Sequence, residues 1–128
     1  MRGRRKTAKI SEAEWNIMKV LWKGSEELGR GMTLGEIVDK LSDETGWSDT
    51  TIRTLIIRLS EKGAVSIDKT TGVYKYKPVP SEEESVKAEI SSFINRVFGG
   101  NPLKLMLTLA KNVQFTPEER QEIISALK

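Results

Sequence analysis

A mostly α-helical chain with one small β-hairpin is what this sequence predicts, and three observations predict it. Apolar residues recur at i, i+3, i+4 and i+7 through most of the chain, the spacing of helices buried along one face. Capping residues stand where these periodic segments begin: Ser11, Thr33, Ser48, Ser81, Asn101 and Thr116. Between residues 64 and 77 the period drops to two on either side of a Gly-containing loop, which reads as a pair of strands.

The elements follow in order. Ser11 opens the first helix, with Glu12 and Glu14 in the first turn, where carboxylates suit the helix dipole. Trp15, Met18, Leu21 and Trp22, flanked by Ile17, give it one wide apolar face. Gly24 and the polar run to Gly31 are expected to end it. Thr33-Leu34-Gly35-Glu36 fits a capping box with Glu36 at N3, and Leu34, Ile37, Val38 and Leu41 form the stripe of a second helix. Ser42 to Gly46 reads as a loop. The third helix starts at Ser48 or Asp49, buries Ile52, Leu55, Ile56 and Leu59, and stops at Lys62-Gly63. Ala64–Asp68 and Val73–Lys77 then alternate around the turn Lys69-Thr70-Thr71-Gly72, a hairpin ended by Pro78.

Helix–helix–helix–hairpin across residues 10–80 is the winged helix-turn-helix pattern, whose third helix enters the major groove of DNA. A winged helix serving only as a protein-interaction adaptor has the same order of elements. The expected organisation is a basic flexible arm at 1–9, a winged-helix DNA-binding domain at 10–80 and a three-helix dimerisation domain at 81–128.

The last region motivates that final expectation. Ser81 begins a helix carrying Val86, Ile90, Phe93, Ile94, Val97 and Phe98, stopped by Gly99-Gly100. Asn101-Pro102 starts the next, whose Leu103, Leu105, Met106, Leu107, Leu109 and Ala110 surround it almost completely. Thr116 caps a last helix with Ile123, Ile124 and Leu127. A helix apolar all round must be buried all round, and about 40 residues is near the lower limit for an independent core. A second copy of the chain is the economical cover. The expected dimerisation residues are Ile90, Phe93, Ile94, Val97, Leu103, Met106, Leu107, Leu109, Ile123 and Leu127. The alternative is that these helices fold back on the winged helix of the same chain.

Composition narrows the chemistry. The 128 residues contain no cysteine and no histidine, which excludes disulfides, thiolate metal sites and imidazole-based nucleophilic catalysis. Carboxylate or magnesium chemistry stays open, but no Gly-rich phosphate loop or closely spaced acidic motif is present. A non-enzymatic protein with no catalytic residue, metal or cofactor is therefore expected. No apolar run approaches the roughly 20 residues of a membrane span. MRGRRK leads into KISEAEW rather than an apolar core, so a cytoplasmic protein with no membrane association is expected. Residues 1–80 hold 15 Lys/Arg against 11 Asp/Glu, a net +4, and residues 81–128 hold 6 against 7, a net −1. The positive excess lies where a polyanion would be met.

The third helix points to the partner. Opposite its apolar stripe stand Thr50, Thr54, Ile57 and Glu61, with Arg53 at one edge and Thr51 and Arg58 at the other. A solvated face would favour Lys, Glu and Gln. Threonine offers a hydroxyl and a methyl, and Arg53 can take a guanine edge bidentately. Thr50, Thr51, Arg53, Thr54 and Ile57 are the candidate base readers. Ile57 meets either a thymine methyl or only its own protein. Ser48 and Arg58 lie where phosphate contacts are expected, and Lys69, Thr70, Thr71, Tyr74 and Lys75 are the candidate wing contacts. Arg2, Arg4, Arg5 and Lys6 form either a minor-groove arm or a solubilising tail.

ISEAEWNIMKVLWKG, LGEIVDKL, the pattern W-S-x-x-T-I-x-T-L-I-x-R-L-x-x-KGA and VYKYKPVPSEEE together resemble the penicillinase/methicillin-resistance repressor family (BlaI/MecI). The resemblance implies a homodimeric winged-helix repressor that binds a palindromic double-stranded operator through its third helix and dimerises through its C-terminal helices. By position, Ser48, Thr50, Thr51, Thr54 and Arg58 match family residues that contact DNA. The chain also departs from the family. Lysine is frequent there where Thr50 and Ile57 stand here, which implies a weaker electrostatic contribution. The link GSEELGRGM is longer than the family's usual one. β-Lactam-responsive members are released by a sensor protease at an Asn-Phe bond; Thr108-Leu109 stands at the matching position, a departure that removes the recognised bond. The related copper-responsive (CopY-like) branch carries a C-terminal cysteine cluster that this chain lacks.

Overall fold

The computed structural model describes residues 9–128, so the arm residues Arg2, Arg4, Arg5 and Lys6 lie outside the described part. The element order is α1 (Glu12–Leu28), α2 (Leu34–Thr45), α3 (Asp49–Glu61), β1 (Val65–Asp68), β2 (Lys75–Pro78), α4 (Glu82–Phe98), α5 (Pro102–Asn112) and α6 (Pro117–Leu127). The chain divides into two compact units, one ending at Ala88 and the other spanning Glu89–Lys128. Mostly helical with a two-stranded antiparallel hairpin, it has the expected fold class. No helix of the described residues is long and apolar enough to cross a membrane.

In the first unit, Ile17, Met18 and Leu21 of α1 meet Ile37 and Leu41 of α2 and Ile52, Leu55, Ile56 and Leu59 of α3 in one core, closed by Val65 and Tyr76 of the hairpin. Complete burial of each such side chain contributes about 1.5–3 kcal/mol of transfer free energy. Trp15 and Trp22 are only half-buried at the edge of this core. Their indoles lie 5.7 Å apart, and the Trp22 Nε1 donates to the Pro80 carbonyl at 3.0 Å. An aromatic ring with a polar tip belongs at such an edge.

Two helix ends differ from expectation. α1 runs through Gly24 to Leu28 and ends at Gly29, in the left-handed conformation at φ 68°. Gly24 is no stop: it is buried, and a Cβ there would overlap the Sδ and Cε of Met32. The residue is small because Met32 lies on it. α2 likewise continues through the expected loop 42–45 and ends at Gly46, φ 71°, its last turn bonded by Thr45 Oγ1 to the Leu41 carbonyl at 2.8 Å. The long link of the sequence is thus mostly helix.

The hairpin pairs Val65 with Pro78, Ser66 with Lys77, Ile67 with Tyr76 and Asp68 with Lys75. Pro78 is the last residue of β2 rather than the residue beyond it, and Val73 and Tyr74 belong to the connection. Asp68 explains the earlier break: its Oδ1 accepts from the Thr70 amide at 2.9 Å and the Thr70 hydroxyl at 2.7 Å, turning the chain after β1. Met32 and Tyr76 exchange both backbone hydrogen bonds, at 2.9 and 2.7 Å, and this fastens the hairpin to the segment before α2.

The second unit contrasts with the first. No residue of α5 or α6 is buried, and the same holds throughout Glu89–Lys128. Ile90, Phe93, Val97, Leu103, Met106, Leu107, Leu109 and Leu127 are exposed, while Ile94 and Ile123 are half-buried.

Candidate nucleic-acid interface

Ser48 starts α3. Its Oγ accepts the Thr51 amide at 3.2 Å and its hydroxyl donates to Thr51 Oγ1, also at 3.2 Å. The Ser48 hydroxyl hydrogen is thereby engaged inside the cap. With Ile52, Leu55, Ile56 and Leu59 in the core, the remaining faces of α3 are outward. Thr50, Thr51, Arg53, Thr54, Ile57 and Arg58 are all exposed, and Ile57 retains 48% of its accessible surface. The Thr54 hydroxyl donates to the Thr50 carbonyl one turn back, at 2.9 Å.

Beside this face runs a groove of about 540 Å³ between α3, the N-terminus of α2 and the hairpin. Arg53 and Ile57 line it from α3, Leu34 and Gly35 from α2, and Ile67, Lys69, Val73 and Tyr74 from the hairpin. Four of the expected contact residues, Arg53, Ile57, Lys69 and Tyr74, therefore meet at one groove. Thr50, Thr51, Thr54 and Arg58 lie outside its lining, on the open face of the helix. Leu34, Ile67 and Val73 were not foreseen as part of this surface. The signal for Val73 was its position beside the turn glycine, where an apolar residue has no core to join.

The wing tip has its own internal bonding. The Lys69 ammonium lies 5.3 Å from the centroid of the Tyr74 ring, an attraction of cation to π-face. The Thr70 hydroxyl is engaged by Asp68 and the Thr71 hydroxyl by the Val73 carbonyl at 3.2 Å. Hydrogen bonding to the Thr70 hydroxyl and amide holds the Asp68 carboxyl below its ordinary range, with Lys75 and Lys77 adding to the effect. Among the wing candidates, the side-chain donors without a hydrogen-bond partner are the ammonium groups of Lys69 and the half-buried Lys75 and the hydroxyl of the exposed Tyr74, while Thr70 and Thr71 shape the loop.

An ion pair between the exposed Lys62 and the buried Glu14 sets the far end of α3. Lys62, its C-cap, donates from Nζ to Glu14 Oε1 at 2.6 Å and to the Lys9 carbonyl at 2.9 Å. Glu14 is itself locked into the first capping box, accepting from the Ser11 amide at 2.9 Å. The sequence offered no sign of this contact, since the two residues lie far apart in the chain and each has a local role of its own.

The sequence profile of the penicillinase repressor family matches residues 10–128. The chain is 33% identical to the penicillinase repressor of Bacillus licheniformis over 124 residues, 97% of this chain and 93% of that one. It is 29% identical to the methicillin resistance regulatory protein MecI of Staphylococcus aureus strain N315, across 95% of both chains. The solution structure of the DNA-binding domain of the repressor BlaI matches with a TM-score of 0.52 at 36% identity, covering 63% of this chain and 93% of that one. The monomeric form of Bacillus licheniformis BlaI, solved in complex with the blaP half-operator, gives 0.52 at 37% identity over 62% and 90%. Profile, near-full-length relatives and winged-helix geometry agree: this chain belongs to the penicillinase repressor family.

Proposed function

We propose that this chain is a homodimeric, sequence-specific DNA-binding transcriptional repressor, acting in the cytoplasm by occupying a palindromic operator. The observation that carries the reading is the outward face of α3. Thr50, Thr51, Arg53, Thr54, Ile57 and Arg58 stand exposed together beside the hairpin, on the helix that a winged helix offers to the major groove. Residues 10–80 form the DNA-binding domain and residues 81–128 the dimerisation domain. Arg53 and the threonines read base edges, Arg58, Lys69 and Lys75 neutralise phosphates, and no cofactor is needed to bind. A relative in the same family was solved on half-operator DNA, which supports the reading. Thr108-Leu109 lies inside α5 and lacks the Asn-Phe bond, so release by a sensor protease forms no part of it.

The test is binding to duplexes selected from a randomised library, measured against salt. Log K is expected to fall linearly with log salt concentration, the slope counting neutralised phosphates. Arg58→Ala should weaken every sequence alike and reduce that slope by about one. A protein that selects no sequence and binds duplex DNA without salt dependence is an adaptor instead.

A further inference from the structure

The third helix has fewer hydrogen-bond donors for DNA than its sequence suggests. The Thr54 hydroxyl hydrogen is spent on the Thr50 carbonyl at 2.9 Å, a bond that fixes the rotamer of a β-branched side chain in a helix. Ser48 spends its hydrogen on Thr51. The part of the exposed Thr54 side chain that this bond leaves unengaged is its methyl group. Three residues on, along the same face, stands Ile57, apolar and about half exposed.

We propose that α3 reads thymine by its C5 methyl group, with the Thr54 methyl and the Ile57 side chain as the specificity-determining contacts. The inference rests on the reading of α3 as the DNA-facing helix and names what that helix selects. In the major groove the thymine methyl is the one apolar mark that separates T·A from the other pairs. An unengaged donor would favour guanine or adenine acceptors; an engaged hydroxyl beside an isoleucine favours the methyl. Three residues span about 4.5 Å along a helix axis, and stacked bases are about 3.4 Å apart on one strand. The two contacts therefore suit neighbouring base pairs.

The duplex selected by the full chain is remade with deoxyuridine replacing each thymidine in turn, which deletes only the methyl. Affinity is expected to fall about three- to fivefold at one or two adjacent positions, the worth of one buried methyl. Thr54→Ser, which keeps the hydroxyl, and Ile57→Ala should each lose sensitivity at one of those positions. Thr54→Val, which keeps the methyl, should retain both affinity and sensitivity. All three changes are at exposed positions and leave the core intact. If binding is sequence-specific but no deoxyuridine substitution matters, or if Thr54→Ser keeps the selectivity that Thr54→Val loses, the hydroxyl is the reader. The inference then fails with the repressor reading intact. If selection recovers no sequence at all, the repressor reading fails and takes this inference with it.

Discussion

A carboxylate in a protein core needs a partner, and Glu14 is almost fully buried. Burial alone pushes its carboxyl up. The Lys62 ammonium and the Ser11 amide outweigh that and hold it below its ordinary value of 4.5. Because the folded-state value is depressed, the pair's contribution is fully present above the ordinary value. It is lost as pH falls through the lower folded-state value. Lys62→Met should therefore cost about 2 kcal/mol near neutral pH, since a charged acceptor loses its donor. The loss should shrink in acid, as Glu14 in the variant is protonated without its cation partner. Urea midpoints of parent and variant across pH 3–7 measure it, and a constant difference would rule out the pair as the cause. Lys62 is the C-cap of α3, so the same substitution tests whether the end of that helix is held from α1.

At the level of elements, Gly24 is the instructive position. An exposed helix glycine replaced by alanine would gain about 1 kcal/mol of helix propensity. Here the added methyl meets the buried Met32 side chain, and overpacking a core costs about 1–3 kcal/mol. Gly24→Ala is thus expected to destabilise by about 1 kcal/mol, with the opposite sign from the propensity argument; a raised melting temperature would refute the packing account. The start of α2 offers a second measurement. The Thr33 hydroxyl oxygen accepts the Glu36 amide at 3.2 Å, and the Glu36 carboxylate accepts from the Thr33 amide at 2.9 Å and from Arg30 bidentately at 2.7 and 3.0 Å. The Arg30 guanidinium, with the Thr33 amide, lowers the Glu36 carboxyl from 4.5 to about 2. Its stabilisation is complete above about pH 4.5 and disappears as pH falls toward 2. Glu36→Gln should remove that part of the acid dependence while leaving stability at neutral pH within about 1 kcal/mol, because the pair is partly solvated. These positions also mark what could be read in advance. Caps and periodic stripes lie within a few residues of one another, so Ser11, Thr33, Ser48 and Thr116 announced their helices. Gly24 and the end of α2 depart from the local pattern because a packing contact with Met32 and a bonded last turn depend on the fold. The groove beside α3 is half legible in the sequence: Arg53, Ile57, Lys69 and Tyr74 stand out by their chemistry. Leu34 and Val73 joined it only through the Met32–Tyr76 pairing, which no local pattern encodes.

For the molecule as a whole, the second unit sets the requirement. Glu89–Lys128 contains no buried residue, although Leu103, Met106, Leu107 and Leu109 crowd a single helix of eleven residues. Isolated helices of that length are marginal in water, and most helical stability comes from packing an apolar face. Exposed apolar residues this concentrated are what an interface would cover, and under the proposed dimer a self-complementary two-fold contact, the commonest kind, covers them. Folding of these helices should then be linked to association, so their helicity falls on dilution. Sedimentation at micromolar concentration is expected to give a dimer. Leu107→Glu places a charge on that surface and should give a monomer with reduced far-ultraviolet helicity and an unaltered winged-helix core. On a duplex with two half-sites, the parent should bind far more tightly than on one, because the second contact becomes intramolecular. Leu107→Glu should bind the two duplexes with nearly equal affinity. A parent chain that sediments as a monomer, with helicity independent of concentration, would mean that the apolar face is covered within its own chain.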